Sequence, residues 1–286
     1  LIPDLKILPI RKIPIVLRNI IGLLRLRFLI KRSINQLVEK NDVMKFHHRI
    51  YDLINSLNIS VGNTAYSNYY QQKGEDNDWS YMESWNEKQK SIFFALHKPE
   101  IDTVLDIACN TGWFSILAEK LGKRVVAFDI DEGCVETLYK KVKEENLNIL
   151  PLNLDLTQLT QDRYSIYDGK HVLINATQRL QTDSVIALGI LHHLILGAGL
   201  TLQEVLNLLI PLAKKQIIIE FIDTDDSMIK NEPSFFPALL DNTDLPDKYT
   251  IKILITLLEE NGFDVHIEKS YPHTISILIC NKRSAL

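Results

Sequence analysis

Asp129 ends the apolar run Val125-Val126-Ala127-Phe128, seventeen residues after Gly112. A carboxylate at the end of the second strand of a βαβ unit can accept hydrogen bonds from a ribose diol. Gly112 closes the turn Ala108-Cys109-Asn110-Thr111-Gly112, which follows the apolar run Thr103–Ile107 and opens into the helical pattern Trp113-Phe114-Ser115-Ile116-Leu117-Ala118. A strand that feeds a helix through a tight turn aims free backbone N–H groups above the sheet edge. Loop and acid together read as a nucleoside site.

The glycine pattern narrows the nucleoside. A dinucleotide site wants G-x-G-x-x-G, because a pyrophosphate must come close to the backbone. Here the early positions hold Ala108 and Asn110, and only Gly112 remains. A ligand without phosphate is the better match. Further on, Leu191-His192-His193-Leu194 follows the fourth apolar run. An imidazole that titrates near neutrality is a natural general base for an acceptor that must lose a proton. Adjacent residues point in different directions, so one of the two faces the pocket, with His193 slightly ahead; a structural role for the pair is the alternative. Glu220 and Asp223 close the fifth run across the sheet from these histidines. Two histidines and a carboxylate are also a donor set for a divalent metal. The metal-free reading is preferred, with Glu220 hydrogen-bonded to backbone or substrate.

The segment Asp106-x-Ala108-x-Asn110-x-Gly112 resembles the first motif of class I S-adenosylmethionine-dependent methyltransferases, which usually reads Asp/Glu-x-Gly-x-Gly-x-Gly. The resemblance implies that Asp106 fixes the loop and that Gly112 lets the methionine part lie close to the backbone. It also implies that Ala108, Asn110 and Trp113 line the cofactor loop, that Asp129 holds the ribose and that Asp155 lies near the adenine amine. Ile130 is then placed to pack on the adenine face. Trp85-Asn86-Glu87-Lys88-Gln89, Leu150-Pro151-Leu152, Ala187–Leu194 and Ile219–Ile222 add a resemblance to the nodulation-protein NoeA-like group. It covers about residues 66–225. The acceptors of that group are poorly defined. Related methylating domains occur in polyketide assembly lines, which implies natural-product biosynthesis and a small-molecule or carrier-protein-bound acceptor. The fourth run lacks the Asn/Asp-Pro-Pro-Tyr/Phe motif that grips planar amines, so oxygen or carbon methylation is favoured.

Several elements must position these residues. Strands are expected at Thr103–Ile107, 125–129, 148–155, 184–189 and 216–222, alternating with helices at 132–145, 201–213 and 250–261. Two further strands, Phe263–Ser270 and Thr274–Asn281, are separated by Tyr271-Pro272-His273, and so short a turn makes them antiparallel. A short extra strand is expected within 171–174, and residues 223–248, acidic and holding Pro233, Pro237 and Pro246, are expected to be one long connection. The expected fold is α/β: a mostly parallel seven-stranded sheet ending in an antiparallel hairpin, with an N-terminal helical extension. The resemblance implies strand order 3-2-1-4-5-7-6.

The expected organisation is a basic helical region over 1–65, an aromatic-rich connector over 66–98, and a cofactor-binding core over 99–286. Tyr70 and Trp85 belong to the connector, which reads equally as a lid that touches the acceptor and as a joint between helical layers. Residues 1–32 carry eight Lys/Arg and one acid, and 15–32 form an amphipathic pattern. That pattern fits peripheral contact with an anionic membrane, although packing on the core is preferred. The same basic surface would serve the alternative function, a non-catalytic scaffold that docks through it. A net charge of −4 and no basic-aromatic alternation in the core argue against nucleic acid. Three cysteines, at 109, 134 and 280, lack metal-ligand spacing and suit a reducing, cytoplasmic setting. No run reaches the length of a membrane-spanning helix, and arginines interrupt the N-terminal apolar segment, unlike a signal peptide. A start at Leu1 rather than Met reads as a piece of something longer.

Overall fold

Apolar runs that are buried on both faces make a parallel sheet, and that is what these runs form. A computed structural model describes residues 43–56, 62, 64, 66, 68–74, 79, 82–159, 163–164, 172–173 and 176–283. The seven strands of the main sheet are β1 (Thr103–Ile107), β2 (Arg124–Asp129), β3 (Ile149–Asn153), β4 (Thr182–Ala187), β5 (Ala213–Ile222), β6 (Phe263–Lys269) and β7 (Ile275–Lys282). Their order is β3-β2-β1-β4-β5-β7-β6. The first five are parallel, and β7 lies antiparallel to both β5 and β6. This is the class I methyltransferase sheet. Arg163–Tyr164 and Val172–Leu173 pair as a separate two-stranded ribbon.

The chain divides into two units, residues 1–60 and 61–286. In the first, the described residues form one amphipathic helix, α1 (Val43–Ser56). The basic segment 15–32 lies outside the described residues. Among those described, no helix is long and apolar enough to cross a membrane.

In the second unit, side chains alternate between two cores, as the two-residue period of a strand requires. Leu105, Ile107, Phe128, Val185, Ile217 and Ile219 point to one face, packing with α5 (Leu202–Leu209) and α6 (Ile251–Glu260). Val104, Val125, Ala127, Ile186 and Ile218 point to the other. That face packs with α2 (Glu87–Leu96), α3 (Trp113–Lys120) and Leu138 of α4 (Glu132–Glu145). Local chemistry sets the helix starts. Asn86 and Gln89 form a capping box on α2, Asp131 caps α4, and Thr201 with Glu204 caps α5. Pro211 turns the end of the helix expected over 201–213 into a 3₁₀ turn, Ile210–Leu212, and β5 starts earlier than expected, at Ala213.

The segment 223–248 differs from the expected single connection. It holds three short helices, Ser227–Asn231, Pro237–Asp241 and Leu245–Lys248. Of the prolines that suggest irregular backbone, Pro237 and Pro246 sit in the first turns of the second and third, where a missing N–H costs nothing, and Pro233 opens a 3₁₀ turn, Pro233–Phe235. The first is capped by the Asp226 side chain.

Candidate active site

The motif loop begins at Asp106 in β1. Its buried carboxylate accepts the Ser115 hydroxyl at 2.5 Å, which ties the strand to the first turn of α3. Burial pushes the Asp106 carboxyl up to about 7, against the opposing hydrogen bond from Ser115. The backbone then turns left-handed at every second residue: φ is 56° at Ala108, 52° at Asn110 and 85° at Gly112. These are the three positions where the family usually has glycine. A side chain in that region costs about 1–2 kcal/mol, least for Asn. Asn110 offsets its cost locally: its Oδ1 accepts the Thr111 N–H at 2.6 Å, and its Nδ2 donates to the Tyr66 carbonyl at 3.1 Å. At Gly112 a Cβ would collide with the Leu138 side chain, 2.8 Å from Cδ2.

Asp129 meets this loop directly. Its Oδ2 accepts the Asn110 N–H at 2.8 Å, and its Oδ1 accepts the Asp131 N–H at 2.9 Å. Burial raises the Asp129 carboxyl, with these two backbone donors opposing the shift. Each oxygen has lone-pair capacity beyond its backbone bond, which is what a vicinal diol needs. Ile130 beside it is 72% exposed. Asn153, at the end of β3, donates through Nδ2 to the carbonyls of Asp129 and Ile130, at 3.1 and 3.0 Å. This clamp was not anticipated; an amide at the end of the third strand is the signal for it. Asp155 caps its own turn, accepting the Thr157 N–H at 2.9 Å, the Thr157 hydroxyl at 2.7 Å and Gln158 Nε2 at 3.0 Å.

The aromatic connector packs on the same loop. Trp79 stacks on Trp113 at 5.9 Å and donates its indole N–H to the Trp113 carbonyl at 3.1 Å. Trp85 meets Trp113 edge-on at 5.6 Å, and Tyr70 meets Phe114 at 6.3 Å and reaches the Cys109 carbonyl at 3.4 Å. Tyr70 and Trp85 are both buried, so in this structure their rings make the joint between the connector and α3.

His192 and His193 begin a π-helical turn, His193–Gly197. Their rings lie 4.2 Å apart, and His193 stacks on Phe236 at 5.6 Å, with ring planes 25° apart. Phe236 comes from the 223–248 segment, which therefore covers the histidines. His192 is buried and His193 half-buried, and burial holds the His193 imidazole below its ordinary value. Glu220 does not join them. Its Oε1 is 3.1 Å from Lys88 Nζ. Asp223 instead accepts the Asp225 N–H at 2.9 Å. Among the described residues, no three His, Cys, Asp or Glu side chains gather as a metal site.

At this sheet edge Asp129 keeps acceptor capacity beyond its two backbone bonds, Ile130 stands exposed beside it, and the missing Cβ of Gly112 lets the loop pack on Leu138. Residues 104–194 match the family described as "Methyltransferase domain". The chain is 27% identical over 218 residues to nodulation protein NoeA of Rhizobium meliloti (strain 1021), covering 71% of this chain and 44% of that protein. It is 38% identical over 78 residues to the ribosomal protein L11 methyltransferase of Thermotoga maritima, covering 27% of this chain and 30% of that one. The chain thus spans less than half the length of these curated relatives. A crystal structure of magnesium protoporphyrin IX methyltransferase from Synechocystis PCC 6803 with bound SAM aligns at TM-score 0.47 and 16% identity, covering 78% of this chain and 87% of that one. In its motif, its strand order and these sequence matches, the chain is similar to the class I S-adenosylmethionine-dependent methyltransferases and, within them, to the NoeA-like group.

Proposed function

We propose that this chain transfers a methyl group from S-adenosylmethionine to an oxygen or carbon of a small-molecule or carrier-bound acceptor. The observation that carries this reading is the Asp129 carboxylate, held by Asn110 and Asp131 with capacity left for two hydroxyls. Bound S-adenosylmethionine supplies a methyl carbon already activated by sulfonium charge. The chain's own task is to bind and orient, which can contribute on the order of 7–11 kcal/mol. Asp129 holds the ribose, Ile130 packs on the base, and Gly112 admits the methionine part. His193, kept neutral by burial, accepts the proton of the acceptor. The scaffold alternative is not favoured, because the matched region is a methyltransferase domain.

Calorimetry with S-adenosylmethionine and S-adenosylhomocysteine tests the reading directly. Binding of both by wild type and loss in Asp129→Ala are expected. A chain that binds neither is not this enzyme. Labelled methyl donor, incubated with the chain and an extract of the source organism, then identifies the acceptor.

A further inference from the structure

The ion pair between Lys88 and Glu220 has no part in the chemistry above. Both side chains are buried, at 7% and 3% exposure, with Nζ 3.1 Å from Oε1. Removing two charges from water costs several kcal/mol each, and an apolar pair of similar volume is often as stable or more so. Such a pair is poor scaffolding, and its place in the fold is informative. Glu220 lies one residue beyond Ile219, the last residue of β5 to pair with β4, so it stands at the carboxyl edge of the sheet. Its second oxygen faces Gly189, where a Cβ would be 3.8 Å from Oε2. Gly189 leads from β4 to the two histidines. Lys88 reaches the same point from α2, with Nζ 5.6 Å from the centre of the Phe114 ring at the start of α3. The ammonium therefore stands between the helix that opens at Gly112 and the loop that leads to His193.

We infer that Lys88 and Glu220 form the polar end of the acceptor site, and that they take an acidic hydroxyl, of phenol or enol type, bound as its anion. The inference rests on the methyltransferase reading for calling that hydroxyl the acceptor. A buried ammonium favours the charged form of an acid beside it. The hydroxyl proton passes to His193, the base proposed above, and the oxyanion takes the place of the Glu220 carboxylate on Lys88. Glu220 keeps the ammonium oriented until then.

The probe is 4-nitrophenol, whose phenolate absorbs visible light and whose phenol does not. It is titrated into the full chain as wild type, Lys88→Met, Glu220→Gln and the double variant Lys88→Met/Glu220→Leu. S-adenosylhomocysteine affinity is measured by calorimetry on the same samples. The double variant replaces both charges with apolar groups and is expected to fold even where a single variant, left with one buried charge, does not. Wild type should bind the phenolate and lower the apparent pKa of the probe. Lys88→Met and the double variant should bind it about tenfold more weakly or worse, and Glu220→Gln should bind it more tightly. S-adenosylhomocysteine affinity should stay within about twofold throughout. Phenolate binding that survives in the double variant, or is absent in wild type, overturns the inference. So does a double variant that loses S-adenosylhomocysteine, since the pair would then serve the donor. Wild type that binds phenolate but no S-adenosylhomocysteine sinks the methyltransferase reading and leaves Lys88 as an anion site.

Discussion

The Asn110 backbone N–H donates to Asp129 Oδ2 at 2.8 Å, across nineteen residues of sequence. This bond joins the end of β2 to the middle of the motif loop. The acid that would hold a ribose also holds the loop against which the rest of the nucleoside would lie. On the proposed function, binding and local order are coupled at one carboxylate.

Replacing Asp129 by Ala should act on both. Two backbone donors lose their acceptor, at a cost of about 1–3 kcal/mol for a partly buried group. Chemical denaturation should show that loss, and calorimetry should show S-adenosylhomocysteine binding weakened by about a hundredfold or more. Asp129→Asn is the control, because it keeps an acceptor for one backbone N–H. Retained nucleoside affinity in Asp129→Ala would remove the ribose assignment.

The left-handed turn makes opposite predictions for neighbouring positions. Ala108→Gly removes about 1–2 kcal/mol of strain at φ 56° and adds about 0.5–1 kcal/mol of chain entropy, so the variant should be slightly more stable. Gly112→Ala adds strain at φ 85° and drives a methyl into Leu138, for a loss of about 2–4 kcal/mol. Urea midpoints for the two variants should move in opposite directions.

Asp106 should make stability fall as pH rises. Its carboxyl titrates at about 7 in the folded chain and near 3.8 when unfolded. Between those values the folded state binds more protons, so the stabilising contribution is complete below about 4 and is lost as pH climbs through 7. At about 1.4 kcal/mol per unit, the difference is on the order of 4 kcal/mol. Asp106→Asn removes the titration. The wild-type minus variant difference, measured by denaturation from pH 4.5 to 8, should fall across this window. A flat difference would contradict it.

His193 should titrate below the ordinary imidazole range, because burial disfavours its charged form. The sign for stability is the reverse of that for Asp106. The unfolded chain binds more protons between the depressed value and 6.5, so this contribution grows as pH rises through that window. Carbon-labelled histidine observed by NMR, with His193→Gln to assign the signal, should show the midpoint below 6.5. A midpoint above 6.5 would leave the imidazolium too abundant near neutrality to serve as the proposed base.

Much of this protein is determined by sequence alone. Apolar runs of strand length, a short Tyr271-Pro272-His273 turn and the resemblance carried by Asp106 to Gly112 lead to the sheet order that the structure has. Those features are local or periodic, and physics ties them to backbone conformation within a few residues. Even the departure from the family's glycines is legible, since Asn is the non-glycine residue that best tolerates a left-handed turn. Tertiary structure decided what depends on distant partners. Only folding brings Lys88 to Glu220, 132 residues along the chain, or Phe236 onto His193. The short helices within 223–248 were read as a connection because prolines signal irregular backbone, yet a proline in a first turn is compatible with a helix. Asn153 escaped notice because a side-chain amide shows its role only when the carbonyls it clamps are in place. Pairings of this kind arise from the packing of whole elements, and no spacing along the chain encodes them.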